Sequence, residues 1–242
     1  MTATGLSIEG RLMLAARELL PPFSLTLDGG RWHALLGPSG VGKSSLIRTI
    51  AGLPGSVRLD GRCSAHDGES LRGRVAWMAQ SDSLAPWLTV LDNLLLPARL
   101  AGGRGDKPRA REMLAAVGLA EHGHKKPPAL SGGMRQRVAL ARTLMLGCEI
   151  VLLDEPFSAL DAGTRARMQD LAVQCLRGKT VVIVTHDPAE AVRVGDTLTL
   201  MTAAGLERLE PPPGAPVRAL DAAEVLAVQG DLWRRLHGLA AA

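Results

Sequence analysis

Apolar positions change their period along the chain, and each change marks a different kind of element. Near the start, "LSIEG" (residues 6–10) and "FSLTLDGG" (23–30) alternate apolar with polar residues, as strands with one covered face do. "WHALLG" (32–37) is a short apolar run that stops at glycine, and "LIRTIAGL" (46–53) then takes helical spacing with a glycine stop. "SVRLDG" (56–61) and "GRVAWMAQ" (73–80) predict two more strands. From about residue 90 to 146 the pattern is helical, interrupted by the basic, Gly- and Pro-rich loops "AGGRGDKP" and "GHKKPPA". "EIVLLDEP" (149–156) and "TVVIVTHD" (180–187) are β-branched and leucine runs without alternation, the pattern of strands buried on both faces of a parallel sheet. Each fully buried Val, Leu or Ile in them contributes about 1.5–3 kcal/mol. Residues 162–176 between them have helical spacing, which makes a strand–helix–strand unit. "DTLTLMTAAGLERL" (196–209) predicts a hairpin, and the Pro-rich "EPPPGAPVRAL" leads to an amphipathic helix over about 222–239.

Composition narrows the class. With no Tyr and 2% aromatics against 46% apolar residues, the core must be aliphatic. The net charge of +4 does not demand nucleic acid and suits a surface near anionic lipid. Cys63, Cys148 and Cys175 match neither a zinc spacing nor a disulfide framework and read as reduced thiols. No apolar run approaches the ~18–20 residues of a membrane span. The start, "MTATGLSIEGR", predicts no signal peptide. A cytosolic chain that meets a membrane only through a partner is the expectation.

Candidate chemistry gathers where predicted strands end. "GPSGVGKSS" comprises Gly37, Pro38, Ser39, Gly40, Val41, Gly42, Lys43, Ser44 and Ser45, and fits G-x-x-x-x-G-K-[ST] between a strand and a helix. Its backbone N–H groups can curl round a phosphate, with Lys43 reaching the β- and γ-phosphates and the Ser44 hydroxyl on Mg²⁺. Asp154 ends a buried strand, where ligands of parallel sheets bind, and is expected to hold Mg²⁺ through water. Its neighbour Glu155 suits a general base that polarises the attacking water. The plainer reading, a strand-end acidic pair capping a helix, loses ground beside the phosphate loop. His186 and Gln80 each follow a predicted strand and are expected to sense the γ-phosphate, Gln80 also touching the Mg²⁺. In "PALSGGMRQRVALAR" (128–142), Ser131 is a good N-cap, and Gly132 and Gly133 leave bare N–H groups at a helix start that attracts anions.

Together these motifs resemble the nucleotide-binding subunit of ABC transporters. "LSGGMRQR" (130–137) looks like the family's signature, Gln80 its Q-loop, "SALD" (158–161) its D-loop and His186 its switch histidine, in the same order and at similar spacing. The resemblance implies an α/β fold: a P-loop NTPase core with a mostly parallel sheet and helices on both faces, a small N-terminal antiparallel part, and an inserted helical subdomain. It makes residues 1–242 one nucleotide-binding domain, with the helical subdomain over about 84–145 and a Pro-rich linker and helix over about 211–242. ATP and Mg²⁺ are the implied cofactors. A second such subunit, most simply an identical one, is an implied partner, and Ser131, Gly132 and Gly133 of one chain would face the γ-phosphate held by Lys43 of the other. A transmembrane permease is the other direct partner, a solute-binding protein an indirect one, and nucleic acid is not among them. The implied place is the cytoplasmic face of the inner membrane, peripheral through the permease.

"AQSDSLAPWLTVLDNLLLPARLAG" (79–102) resembles importers of nitrate, sulfonates, taurine and related small solutes. "LPPFSLTLDGGRWHALLGPSGVGKSSL" (20–46) resembles members assigned to pyrimidine precursors of thiamine. The family's usual adenine-stacking aromatic is missing from "RLMLAAREL" (11–19), which leaves Leu12, Met13 or Leu14 as an apolar platform. The alternative of another class is a non-transport ABC ATPase of DNA repair or translation. The former carries long coiled-coil insertions and the latter two cassettes per chain, and this sequence has neither. Apolar residues Leu84, Pro86, Trp87 and Leu88 after Gln80 suit a groove for a permease segment, against the plainer reading of buried loop residues.

Overall fold

The computed structural model describes residues 3–240. Its strands are β1 (Leu6–Leu14), β2 (Arg17–Leu27), β3 (Trp32–Leu36), β4 (Val57–Ala65), β5 (Val75–Met78), β6 (Ile150–Asp154), β7 (Thr180–Val184), β8 (Thr197–Thr202) and β9 (Gly205–Leu209). The helices are α1 (Lys43–Ile50), α2 (Val90–Leu100), α3 (Lys107–Ala116), α4 (Gly132–Leu144), α5 (Ala162–Cys175), α6 (Pro188–Val194) and α7 (Ala223–Ala240). By their contacts these fall into two compact units, one of residues 3–77, 148–155 and 177–240, the other of 78–147 and 156–176.

The first unit holds two sheets. β1 lies between β2 and β4 in an antiparallel three-stranded sheet. The six-stranded sheet has the order β5-β6-β7-β3-β8-β9. β6, β7, β3 and β8 run parallel, and the β8–β9 hairpin closes one edge. All five residues of β3, of β6 and of β7 are buried, as their unbroken apolar runs predict for strands covered on both faces. Leu6, Ile8, Leu12, Leu25 and Leu27 of the small sheet pack with Leu46, Ile47 and Ile50 of α1 and with Leu152, Val182 and Met201 of the large sheet. This core is aliphatic, as the composition requires. His33 of β3 is a buried polar residue with both ring nitrogens in contact: Thr197 Oγ1 lies 2.8 Å from Nδ1 and the Asp28 carbonyl 2.9 Å from Nε2. A carbonyl only accepts, so Nε2 carries a proton, and burial, which lowers the pKa of the ring, favours the neutral form in which Nδ1 accepts from the threonine hydroxyl. Val225 and Leu232, seven residues apart on α7, are buried on the same unit.

The second unit is helical. Each of its α-helices has a side-chain N-cap: Thr89 for α2, Asp106 for α3, Ser131 for α4 and Asp161 for α5, each accepting from a backbone N–H one turn on. Such a cap is worth about 1 kcal/mol. Val90, Leu94 and Leu95 of α2, Ala110 and Leu114 of α3, and Val138, Leu140, Ala141 and Leu144 of α4 form its buried apolar faces. α5 lies between β6 and β7 in the chain and belongs to this unit by its contacts. Among the described residues no helix is long and apolar enough to cross a membrane.

Candidate nucleotide site

Parallel strands end on the same side of a sheet. β3, β7 and β6 are neighbours, so the loop after Leu36, the His186 segment after β7, and the Asp154–Glu155 pair closing β6 gather along one edge of the first unit. Backbone geometry fixes the loop from Gly37. A Cβ on Gly37 would lie 2.2 Å from the Met201 carbonyl oxygen of β8, so a side chain there is excluded. Gly42, at φ 111°, precedes α1 in a conformation L side chains rarely adopt. Pro38, Ser39, Gly40 and Val41 complete the turn between these two glycines. Helices α2 to α6 each have a side-chain cap, whereas α1 has none and no acid in its first turn. Its uncapped amides and positive dipole end make a ready anion site.

Lys43, the first residue of α1, is only 6% exposed. Its Nζ donates to the Gly37 and Pro38 carbonyls at 2.7 and 2.8 Å. Burial pulls its pKa below the ordinary lysine value, and the Glu155 and Asp154 carboxylates oppose that shift. Ser44 Oγ donates to Asp154 Oδ1 at 3.0 Å. Burial raises the pKa of the Asp154 carboxyl, against the pull of the Ser44 hydroxyl and Lys43. Ser45, next on α1, accepts from Thr49 Oγ1 through its carbonyl at 2.9 Å. Glu155 has φ 49°, rare for a residue with a side chain and typical of functional sites. Its N–H donates to the Val184 carbonyl at 2.9 Å, and its Oε1 lies 3.1 Å from His186 Nδ1. Chemically, a hydroxyl beside a carboxylate supplies hard oxygen ligands, and a carboxylate beside an imidazole can hold or pass a proton.

Gln80, Ser131, Gly132 and Gly133 belong to the second unit. The Ser131 hydroxyl accepts from Met134 N at 3.3 Å. The Gly132 and Gly133 amides precede the first intrahelical bond, from Arg135 N to the Ser131 carbonyl. Gly133 sits against the Ala159 carbonyl, 3.0 Å from where a Cβ would be. Two neighbours on α4 tie this helix start to other loops. Gln136 Oε1 accepts from Ala159 N at 2.8 Å and its Nε2 donates to Ser158 Oγ at 3.2 Å. Arg135 Nε donates to Asp82 Oδ2 at 2.8 Å, two residues past the exposed Gln80. The loop that follows is braced by Asn93, fully buried: its Oδ1 accepts from Ala85 N at 2.8 Å and its Nδ2 donates to the Thr89 carbonyl at 3.0 Å. Leu84 is buried under this loop, while Trp87 stands 71% exposed.

A family model described as ABC transporter matches residues 20–158. The chain belongs to the ABC transporter family. It is 40% identical, over 94% of its length and 96% of the relative's, to an uncharacterized ABC transporter ATP-binding protein of Haemophilus influenzae. Against the aliphatic sulfonates import ATP-binding protein SsuB of Pseudomonas putida it is 43% identical over 83% of its own length and 74% of the relative's. A dimeric ATP-binding cassette solved in a post-hydrolysis state with ADP and phosphate superposes with a TM-score of 0.75 at 29% identity, covering 86% of this chain and 99% of that one. This ABC protein is thus an ATP-binding, ATP-hydrolysing importer subunit, and its fold is the α/β cassette that the signature motif implies.

Several side chains of this ABC cassette escape a motif reading. Asp82 and Gln136 make their contacts at long sequence separations and Asn93 within eight residues, and only Asn93 and Gln136 carry a hint, as polar residues within helical runs. Of the three apolar residues expected to offer an adenine platform, Leu12 is excluded. It is fully buried in the core, because the unbroken alternation of β1 along β4 puts it on the same face as Leu6 and Ile8. Leu14 is 39% exposed, and Leu19 is the hairpin residue that reaches the phosphate loop, beside Gly42.

Proposed function

We propose that this ATPase subunit works as one of a pair, each ATP lying between the phosphate loop of one chain and the signature of the other. The observation that carries the reading is the assembly of Lys43, Ser44, Asp154, Glu155 and His186 at one sheet edge, beside an uncapped helix start. In it Gly37 to Ser45 wrap the phosphates, Lys43 meets the β- and γ-phosphates, Glu155 activates water, and His186 and Gln80 respond to the γ-phosphate. The Ser44 hydroxyl and Asp154 carboxylate, already in contact, are the oxygen donors that would hold a Mg²⁺ ion, with Gln80 as a further proposed ligand. When bound, the ion would supply charge neutralisation on the phosphates. Ser131, Gly132 and Gly133 present α4 to the nucleotide of the partner subunit, and the dimeric relatives favour that pairing.

The exposed Trp87, on a loop braced from beneath by Asn93, suits a permease segment and makes the subunit peripheral on the cytoplasmic face of the inner membrane. Relatives named for aliphatic sulfonates import favour an aliphatic sulfonate as the transported solute, delivered by a binding protein. A strain lacking this gene, supplied with an alkanesulfonate as sole sulfur source, tests the whole reading. Growth should return with the wild-type chain and not with Glu155→Gln. Growth of the deletion strain without complementation overturns the solute assignment.

A further inference from the structure

One exposed stretch of the chain carries a local excess of positive charge. Residues 99–111 hold Arg99, Arg104, Lys107, Arg109 and Arg111 against one acid, Asp106, with Glu112 next in the chain. Asp106 is committed as the N-cap of α3, accepting from Arg109 N at 2.9 Å. Arg99 is paired with Asp92 at 2.9 Å. Among the described residues Arg104, Lys107, Arg109 and Arg111 have no ion pair, and all four are exposed. Arg99, Arg104 and Lys107 line one hollow together with Asp106, the cap of α3. Beside it Leu100, at the end of α2, is 79% exposed, more than any other large apolar side chain among the described residues.

Like charges crowded within a Debye length repel one another, and an exposed leucine gains nothing from water. One kind of surface relieves both: an anionic bilayer, whose phosphates attract the cations and whose headgroup layer admits an aliphatic side chain. A nucleic acid would satisfy the charges alone, since the stretch has no aromatic side chain to stack on a base. We propose that the α2–α3 tip is a peripheral contact for the anionic lipid surface, with Arg104 and Lys107 on lipid phosphates and Leu100 in the headgroup layer. Arg111, one turn on from Lys107 on the same face of α3, and Arg109 add to the attraction. The contact would hold the subunit at the membrane independently of any permease.

Sedimentation of the full chain with vesicles tests this directly. One set is phosphatidylcholine alone, the other about one third phosphatidylglycerol, both at about 0.05 M salt where screening is weak. Wild type should pellet with the anionic set only, and about 0.5 M salt should release it. Arg104→Ser with Lys107→Ser should lower the partition about 25-fold, at about fivefold per cation. Leu100→Ser should weaken binding without changing its salt dependence. ATP hydrolysis in solution should stay at the wild-type rate in both variants. Equal pelleting with both vesicle sets, or anionic binding unchanged in the double variant, overturns the proposal. So does a wild type that ignores both sets while the double variant loses assembly with its permease in neutral nanodiscs, which would make the tip a site for an acidic protein segment.

Discussion

Arg135 holds Asp82 with its Nε at 2.8 Å and, with Nη1 of the same guanidinium, donates to the Leu130 carbonyl at 2.9 Å. One side chain therefore touches both the loop after Gln80 and the residue before Ser131. Arg142, a further two turns along α4, donates to the Asp82 and Ser83 carbonyls and fixes the same loop. The ion pair is about one third exposed on each side, so it adds little to stability. Its value lies in register. Asp82→Asn and Arg135→Gln should each leave the melting temperature nearly unchanged and lower ATP hydrolysis several-fold, within the ~0.5–2 kcal/mol range of such coupling. The double variant should lose no more than the worse single. Strictly additive losses would show that the two side chains act separately.

Glu155→Gln keeps the shape of the site and removes the base. Turnover should fall about 10²–10⁴-fold while ATP binding persists. A stable ATP-bound dimer should then accumulate, readable by light scattering. Near-normal single-turnover hydrolysis would remove Glu155 from the role of base.

Mixing variants separates sites formed within a chain from sites shared between chains. Lys43→Ala and Ser131→Arg subunits, each inactive alone, form a mixed dimer in which one interface carries both defects and the other neither. Partial ATPase activity should return on mixing. A hydrolysis rate per chain that does not depend on protein concentration would argue for a self-contained site.

Trp87 stands on a loop whose neighbour Leu84 is buried, so its removal costs the fold little. Trp87→Ala should melt like wild type and hydrolyse ATP alone, yet lose co-purification with the permease. An aromatic at the centre of such a contact is worth about 2 kcal/mol or more. Normal assembly and solute-stimulated hydrolysis in the variant would place the docking surface elsewhere.

His33 sets an acid limit on stability. Burial lowers its pKa, with the Asp28 carbonyl bond opposing. In the unfolded chain the imidazole titrates near pH 6.5. As pH falls through about 6.5, the unfolded chain takes up a proton that the native protein refuses, so stability is full above that pH and declines below it, by at most about 1.4 kcal/mol per unit. Urea midpoints at pH 7.5 and 5.5 should differ in wild type and differ less in His33→Gln. An equal pH dependence in the two proteins would assign the effect to other groups.

Strands β3, β6 and β7 were legible because burial on both faces leaves one kind of residue available, and the phosphate loop because its backbone demands glycine at fixed spacing. The membership of α5 in the helical unit was not legible. Its 3.6-residue period reads the same whether it packs on the sheet or on other helices, and only contacts distant in sequence decide. For Leu12 the guide is position and not apolar content: period-2 alternation from Leu6 and Ile8 puts it on the covered face. Asp82 and Gln136 act through partners separated from them in sequence by up to 60 residues, as between Asp82 and Arg142, and no local pattern marks those pairings.

An ammonium has three N–H bonds, and Lys43 gives two of them to its own loop, at Gly37 and Pro38. The third has a single remaining direction. The loop thus aims the lysine as a jig holds a tool, and an arriving phosphate meets a donor whose orientation is already settled. The same two bonds make the lysine a strut of the turn. Replacing it removes a charge and also unpins the curve that the glycines permit, so a Lys43 variant reports on loop shape as much as on attraction for phosphate. Comparing Lys43→Ala with Lys43→Met, which restores the stem but neither bond, separates the packing of the side chain from its bracing.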